Sequence, residues 1–305
     1  MKDRVINNPL FIGNYTFSEI MNTNSNTYIV MMGLVKFEVI YLDTKLIIGA
    51  IVVIVVIIGV ALYAGGAFTK PEGTITVVGS TSVQPVAEKL AAAYHEANPD
   101  VNITVQGGGS SVGLKSVQDG TAQIGTYSSE LDPSKGEGIE QTKIASDGIC
   151  VIVNKDSNIE DLTLDQVKQI FAGENDSFTV VTREEGSGTR DAFRDLVMGG
   201  KNGTNITSSA IVQSSTDAVK QAVAGNPNAI GFMSLADVDD SVKVVKIDGV
   251  EPTPETVKDG SYKIQRPFLF LTKGAATGAT QAFIDWVLGP EGQKIIAEEG
   301  AVSVS

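Results

Sequence analysis

The sequence predicts an α/β fold in two lobes, set behind a single apolar span. Three observations carry this. Short β-rich runs alternate with amphipathic helical stretches from about residue 73 to the end, the pattern of strands joined by crossover helices. The segment 71–305 is large for one hydrophobic core, so it divides more readily into two. Residues 46–64, LIIGAIVVIVVIIGVALYA, contain no charge. At about 1.5 Å per residue they can cross the ~30 Å hydrocarbon layer.

That run is expected to be a transmembrane anchor. Its competitor is a cleaved signal segment, with Ala64, Gly65, Gly66 and Ala67 as small residues for cleavage. The length of the run favours the anchor. Lys36 and Lys45 precede it and Lys70 follows, which by the positive-inside rule favours a cytoplasmic N-terminus. Residues 1–45 have no clear period and are read as a cytoplasmic or disordered segment, with Met32 an internal candidate start.

The elements follow in order. Residues 74–78 (TITVV) form a strand. Residues 83–97 form a helix whose Val83, Val86, Ala87, Leu90, Ala91 and Tyr94 share one face, stopped by Asn98-Pro99. Residues 101–106 (VNITVQ) alternate as a half-buried strand, Gly107-Gly108-Gly109 break it, and a helix runs from Ser110 to Asp119. Strands are expected at 123–126, 149–153, 178–182, 210–213, 229–233, 242–247 and 264–271. Helices are expected at 164–171, 186–198, 216–224, 277–288 and 290–299. The alternation implies parallel sheets.

Charge and composition exclude several functions. Residues 71–305 carry 18 basic and 32 acidic side chains, which argues against nucleic acid as a partner. Any bound anion must then be held by local donors, against the overall field. Cys150 lies in the apolar run GICVIVN and is expected to be a buried small side chain. His95, the only histidine, sits mid-helix and is expected at the surface. One His and one Cys exclude imidazole or thiolate zinc sites. The reading calls for no metal, no cofactor and no catalytic residue.

Three segments share one grammar. Gly79-Ser80-Thr81-Ser82, Gly107-Gly108-Gly109-Ser110-Ser111 and Arg183-Glu184-Glu185-Gly186-Ser187-Gly188-Thr189 each follow a strand and open a helix. A helix start leaves backbone N–H groups unpaired at the positive end of the dipole. Glycine lets that backbone approach a ligand, and Ser or Thr adds hydroxyls. One such turn is weak, since Ser and Thr are ordinary N-caps. Three at strand ends match where α/β proteins hold ligands. Arg183 supplies a guanidinium that can fork onto two oxygens of one anion. Glu185 is expected to hold it. The GSGT turn lacks the lysine of a nucleotide P-loop, and no usable histidine supports a serine hydrolase.

GSTSVQP at Gly79, QGGGSSVG at Gln106, DGICVIVN at Asp147, REEGSGTRDAF at Arg183 and RPFLFLTKG at Arg266 together resemble the substrate-binding protein of the high-affinity phosphate ABC transporter. The resemblance covers 73–305. It implies the two-lobed periplasmic-binding-protein fold of type II, with lobes at 73–150 plus 263–305 and at 151–262, crossing near 151–154 and 258–263. It implies a monomer that closes over one inorganic phosphate and delivers it to ABC-transporter permease subunits. The binding domain would be extracytoplasmic, held to the membrane through 46–64 or secreted if that segment is cleaved. By motif, Thr81 would donate its hydroxyl and Ser82 its N–H. Ser110, Arg183, Ser187, Gly188 and Thr189 would follow, with Ser80 and Ser111 as neighbours. Longer members carry an aspartate where this chain holds Ser128, and Asp147 is the candidate to replace it as acceptor of the phosphate proton. Other readings are another oxyanion (sulfate, molybdate or tungstate), a phosphate-sensing module and an enzyme.

Overall fold

The first described strand, β1 (Gly73–Gly79), is followed by α1 (Gln84–Ala97), β2 (Val101–Gln106), α2 (Ser110–Gln118) and β3 (Ile124–Tyr127). These belong to a computed structural model that describes residues 71–304. The expected membrane segment 46–64 and residues 1–45 lie outside that range; among the described residues no helix is long and apolar enough to cross a membrane. β1 pairs in parallel with β2 on one side and β3 on the other, so α1 and α2 are crossover helices. The buried face of α1 carries Val86, Ala87, Leu90, Ala91 and Tyr94, at helical spacing.

The next strand departs from expectation. Only 149–153 reads as a strand in the sequence, yet β4 runs from Ile139 to Asn154. Its first half opens with the polar run Glu140-Gln141-Thr142-Lys143, partly exposed and without alternation, which hides it among the loops. Through Gly148 it pairs antiparallel with β11 (Gln265–Lys273), and from Ile149 it pairs antiparallel with β8 (Ala229–Ser234). The exchange of partners falls just ahead of the expected 151–154. Beside it, Ile149 N donates to Ile264 O at 2.8 Å and the Tyr262 hydroxyl donates to Ile149 O at 2.8 Å.

Between these strands lie β5 (Asp161–Leu162), α3 (Leu164–Ala172), β6 (Thr179–Arg183), α4 (Gly188–Leu196), β7 (Ile211–Gln213), α5 (Thr216–Ala224), β9 (Val242–Val244), β10 (Lys246–Ile247) and α6 (Pro254–Lys258). After β11 come α7 (Gly278–Leu288), α8 (Pro290–Glu298) and β12 (Val302–Ser303). The main sheet runs β2-β1-β3-β11-β4-β8-β6-β7, with β9 and β12 also paired to β4. It is mixed, which corrects the expectation of parallel sheets. Within it β4 pairs antiparallel with β11, β8, β9 and β12, and β11 pairs antiparallel with β3, while β1–β2, β1–β3, β6–β7 and β6–β8 are parallel. The expected strand 242–247 is two: β9 pairs with β4, and β10 pairs with β5 in a separate ladder.

Apolar packing falls into separate clusters along this sheet. One gathers Ile75, Val77, Leu90, Ile124, Phe268 and Phe283 around β1, β11, α1 and α7. Another gathers Val151, Phe171, Phe193, Phe232 and Tyr262. The alternate residues of β4, Cys150 and Ile152, pack on the opposite face against Val181, Val219 and Met233. Apolar cover on both faces explains why this stretch reads as an unbroken apolar run. Phe193 and Phe232 stack with ring centroids 4.1 Å apart. Cys150 is a buried free thiol that burial pushes up in pKa. His95 is exposed, its Nδ1 2.8 Å from Val101 O.

Candidate functional site

Four helix starts meet near the middle of the main sheet. At the end of β1, Gly79 takes φ 147°, and a Cβ there would stand 2.3 Å from Thr126 O. No other residue fits so close to β3. Ser80 N then donates to Thr126 O at 3.0 Å, and the chain turns through Thr81 and Ser82 into α1. Gly109 N donates to Gly79 O at 2.9 Å, which ties the start of α2 to the first turn. At the third, Ser187 caps α4 by accepting from Arg190 N at 3.3 Å. The fourth was not singled out in the sequence: Ser215 caps α5 and Thr216 is its first residue. Its signal is the same grammar, Ser214-Ser215-Thr216 between a strand and a helix, without a glycine to mark it.

The hydroxyls of these starts form one buried cluster. Ser82 Oγ lies 2.9 Å from Thr189 Oγ1 and 2.8 Å from Thr216 Oγ1. Thr81 Oγ1 lies 3.2 Å from Thr216 Oγ1 and accepts from Thr216 N at 3.2 Å. Ser80 Oγ donates to Ser128 Oγ at 2.8 Å, and Ser110 Oγ accepts from Ser128 N at 3.2 Å. Gly188 sits against this second group. A Cβ on it would stand 2.4 Å from Ser110 Oγ and 2.8 Å from Ser128 Oγ. Ser111 is apart from the rest: it is exposed, and its N–H donates to Gly186 O at 3.0 Å.

Arg183, the last residue of β6, is 2% exposed. Its Nη1 donates to Thr216 Oγ1 at 3.2 Å. Its Nε and Nη2 donate to the two carboxylate oxygens of Glu184, each at 2.8 Å. This corrects the expectation for Glu185. The adjacent residue Glu184 forks the guanidinium, while Glu185 turns outward, pairs with Arg190 and has its carboxyl lowered by that bond.

Asp147 also differs from expectation. It is fully buried, and its oxygens are engaged away from the hydroxyls. Oδ2 accepts from Arg266 Nε at 3.0 Å, and Oδ1 accepts from Ser234 Oγ at 2.9 Å. Burial pushes the Asp147 carboxyl up and the Arg266 guanidinium down, and each is countered by the other's charge. A carboxylate so occupied is not available to take a proton from a ligand. Arg266 is the residue that sequence reading passed over as part of a strand motif. Its Nη1 donates to Thr189 Oγ1 at 2.6 Å and to Ser128 O at 3.0 Å. Asp147 and Arg266 are cross-strand partners on β4 and β11.

Chemically this is a donor site. It offers hydroxyls, the outward-facing amides of helix starts and a guanidinium held rigid by a carboxylate, converging from separate elements. That set suits a small anion with oxygens in several directions, because each oxygen can meet a different helix start. Among the described residues no group of carboxylates, His or Cys could hold a metal ion.

Residues 66–291 match the model of the PBP superfamily domain. The phosphate-binding protein PstS of Bacillus subtilis (strain 168) is 33% identical over 251 residues, 77% of this chain and 82% of that protein. A Clostridium perfringens crystal structure with bound phosphate, described as a phosphate ABC transporter substrate-binding protein, is 42% identical with a TM-score of 0.73. It covers 76% of this chain and 100% of that one. An ABC-type phosphate transport receptor of Vibrio cholerae is 32% identical with a TM-score of 0.63, over 75% of this chain and 99% of the other.

Proposed function

From the premise that this chain belongs to the PBP superfamily, and within it to the family of PstS phosphate-binding proteins, we propose that it captures inorganic phosphate and delivers it to the permease subunits of an ABC transporter. The observation that carries this reading is the convergence of Arg183 with the hydroxyls of Thr81, Ser82, Thr189 and Thr216 from different helix starts. The donors named from sequence, Ser80, Thr81, Ser82, Ser110, Ser128, Arg183, Ser187, Gly188 and Thr189, are the proposed ligand set. Asp147 leaves that set for a supporting place behind it, and Ser111 leaves it for the rim.

The mechanism is capture by closure. The lobes are residues 73–148 with 265–304, and 149–264, divided where β4 changes partners. Ser82 and Ser110 belong to one lobe, and Arg183, Thr189 and Thr216 to the other. Closing them strips water from the anion and brings the guanidinium to it. In that low-dielectric setting a charge-assisted bond is strong, so local donors outweigh the acidic surface. The protein acts as an extracytoplasmic binding protein and not as an enzyme. It works as a monomer, and residues 46–64 tether it to the membrane.

Calorimetric titration of phosphate and of sulfate into the purified full-length chain tests this. One saturable phosphate per chain, bound more tightly than sulfate as the family reading requires, is the expected result. Equal affinities, or tighter sulfate, would move the protein to another oxyanion.

A further inference from the structure

Two buried guanidinium groups bracket a chain of hydroxyls. Arg266 Nη1 donates to Thr189 Oγ1, Thr189 meets Ser82, Ser82 meets Thr216, and Arg183 Nη1 donates to Thr216 Oγ1. Thr216 in turn meets Thr81. A guanidinium can only donate, so Thr189 and Thr216 each accept one bond before anything else is decided. Four hydroxyls bring four protons, and the contacts Thr189–Ser82, Ser82–Thr216 and Thr216–Thr81 use three of them. At least one proton must therefore point out of the chain. Thr81 Oγ1 accepts from Thr216 N as well, which leaves its own proton the natural one to leave.

We infer that Arg266 is a positioning residue of the binding site: it fixes Thr189 as an acceptor toward the protein, and so commits the hydroxyl chain to donate toward a bound oxyanion. Resting on the phosphate reading above, the inference adds Arg266 and Thr216 to the residues that decide affinity. Asp147 has a matching task. It holds the Nε and Nη2 edge of Arg266 at 3.0 Å and 2.9 Å, leaving Nη1 turned to Thr189 and the Ser128 carbonyl. Ser234 Oγ at 2.9 Å anchors Asp147 from β8. The pair thus ties β4, β11, β8 and α4 together at the point where β4 changes partners. Without the guanidinium, Thr189 could turn its proton inward and present a lone pair to the ligand, which an anion's oxygen repels.

Removing Arg266 alone would strand a buried carboxylate, so the pair is changed together. Full-length wild type, Thr189→Val, Asp147→Asn/Arg266→Gln and the triple variant are titrated with inorganic phosphate by calorimetry, with thermal unfolding confirming that each is folded. Each of the first two variants is expected to lose affinity on the order of tenfold, the worth of a charge-assisted bond. The triple variant is expected to lose little beyond the worse of the two, because Arg266 acts through Thr189. Thr189→Ser, which keeps the hydroxyl, is expected to stay close to wild type. Independent losses that multiply in the triple variant, or an Asp147→Asn/Arg266→Gln variant that binds like wild type, would overturn the inference alone. A wild type that takes up no phosphate would overturn the reading beneath it, and the inference with it.

Discussion

Arg183 and Arg266 end within reach of the same hydroxyl cluster, yet they are held in different ways. Arg183 is forked by Glu184, whose side chain is 27% exposed, and the two are sequence neighbours. Arg266 is paired with Asp147, 119 residues away, in a contact where both side chains are essentially inaccessible. The first arrangement spends Nε and Nη2 on a partner in touch with solvent and turns Nη1 to Thr216 in the cluster. In the second both partners are buried, and the guanidinium touches the hydroxyls of the cluster through Thr189. On the proposed reading, Arg183 binds the anion and Arg266 holds the binders in place. Substitutions should therefore separate affinity from stability.

The largest effect on affinity is expected from Arg183→Ala. An anion enclosed without its paired charge should lose about 3–5 kcal/mol of binding, roughly two to three decades in Kd, by calorimetry. Global stability should change far less. Asp147→Ala is the mirror case. It leaves Arg266 buried and unpaired, and denaturant unfolding should register a loss of about 3–5 kcal/mol. If Asp147→Ala cost affinity but no stability, the contrast between the two arginines would be broken.

A finer test separates the two glutamates. Glu184→Ala frees the Arg183 fork and should weaken phosphate on the order of tenfold. Glu185→Ala, which loses only a surface pair with Arg190, should stay within about twofold. The reverse result would restore the role that the sequence assigned to Glu185.

The smallest effect concerns Asp237, just beyond β8. The residue is partly exposed, but its Oδ2 is buried without a hydrogen bond, and burial together with the Asp147 charge pushes its carboxyl well above the ordinary range. The sign follows from linkage. The folded state holds this proton after an unfolded Asp, with a pKa of about 3.9, has released it. Stability from this group is thus present at low pH and lost as pH rises from about 4 through the raised value. Asp237→Asn has no proton to lose. Thermal unfolding at about pH 4.5 and pH 7.5 should show the variant gaining on wild type at the higher pH, on the order of 1 kcal/mol. Parallel slopes for the two proteins would remove Asp237 as the source.

What was legible in the sequence was local. Ser80, Thr81, Ser82, Ser110, Ser187, Gly188 and Thr189 all lie where a strand passes into a helix, and that junction can be read within ten residues. Arg183 is legible because it directly precedes one. Arg266 is read in the sequence only as part of a strand motif, and Asp147 only as a proton acceptor, since nothing near either residue records that β11 lies beside β4. Thr216 meets Thr81 across 135 residues, and its turn has no glycine to announce it. The mixed sheet was missed for a related reason. The first half of β4 is too polar to read as a strand, and the antiparallel pairing of β11 is a long-range fact.

The central claim is that an oxyanion sits among the helix starts and touches Arg183. A crystal structure of the protein grown with phosphate tests it most directly. One tetrahedral ion is expected within hydrogen-bond distance of Arg183, the Thr81 and Thr189 hydroxyls and the start of α2, with Arg266 still on Thr189 and not on the ion. An ion bound elsewhere, or one reached by Asp147 or Glu185 in place of these donors, would contradict it.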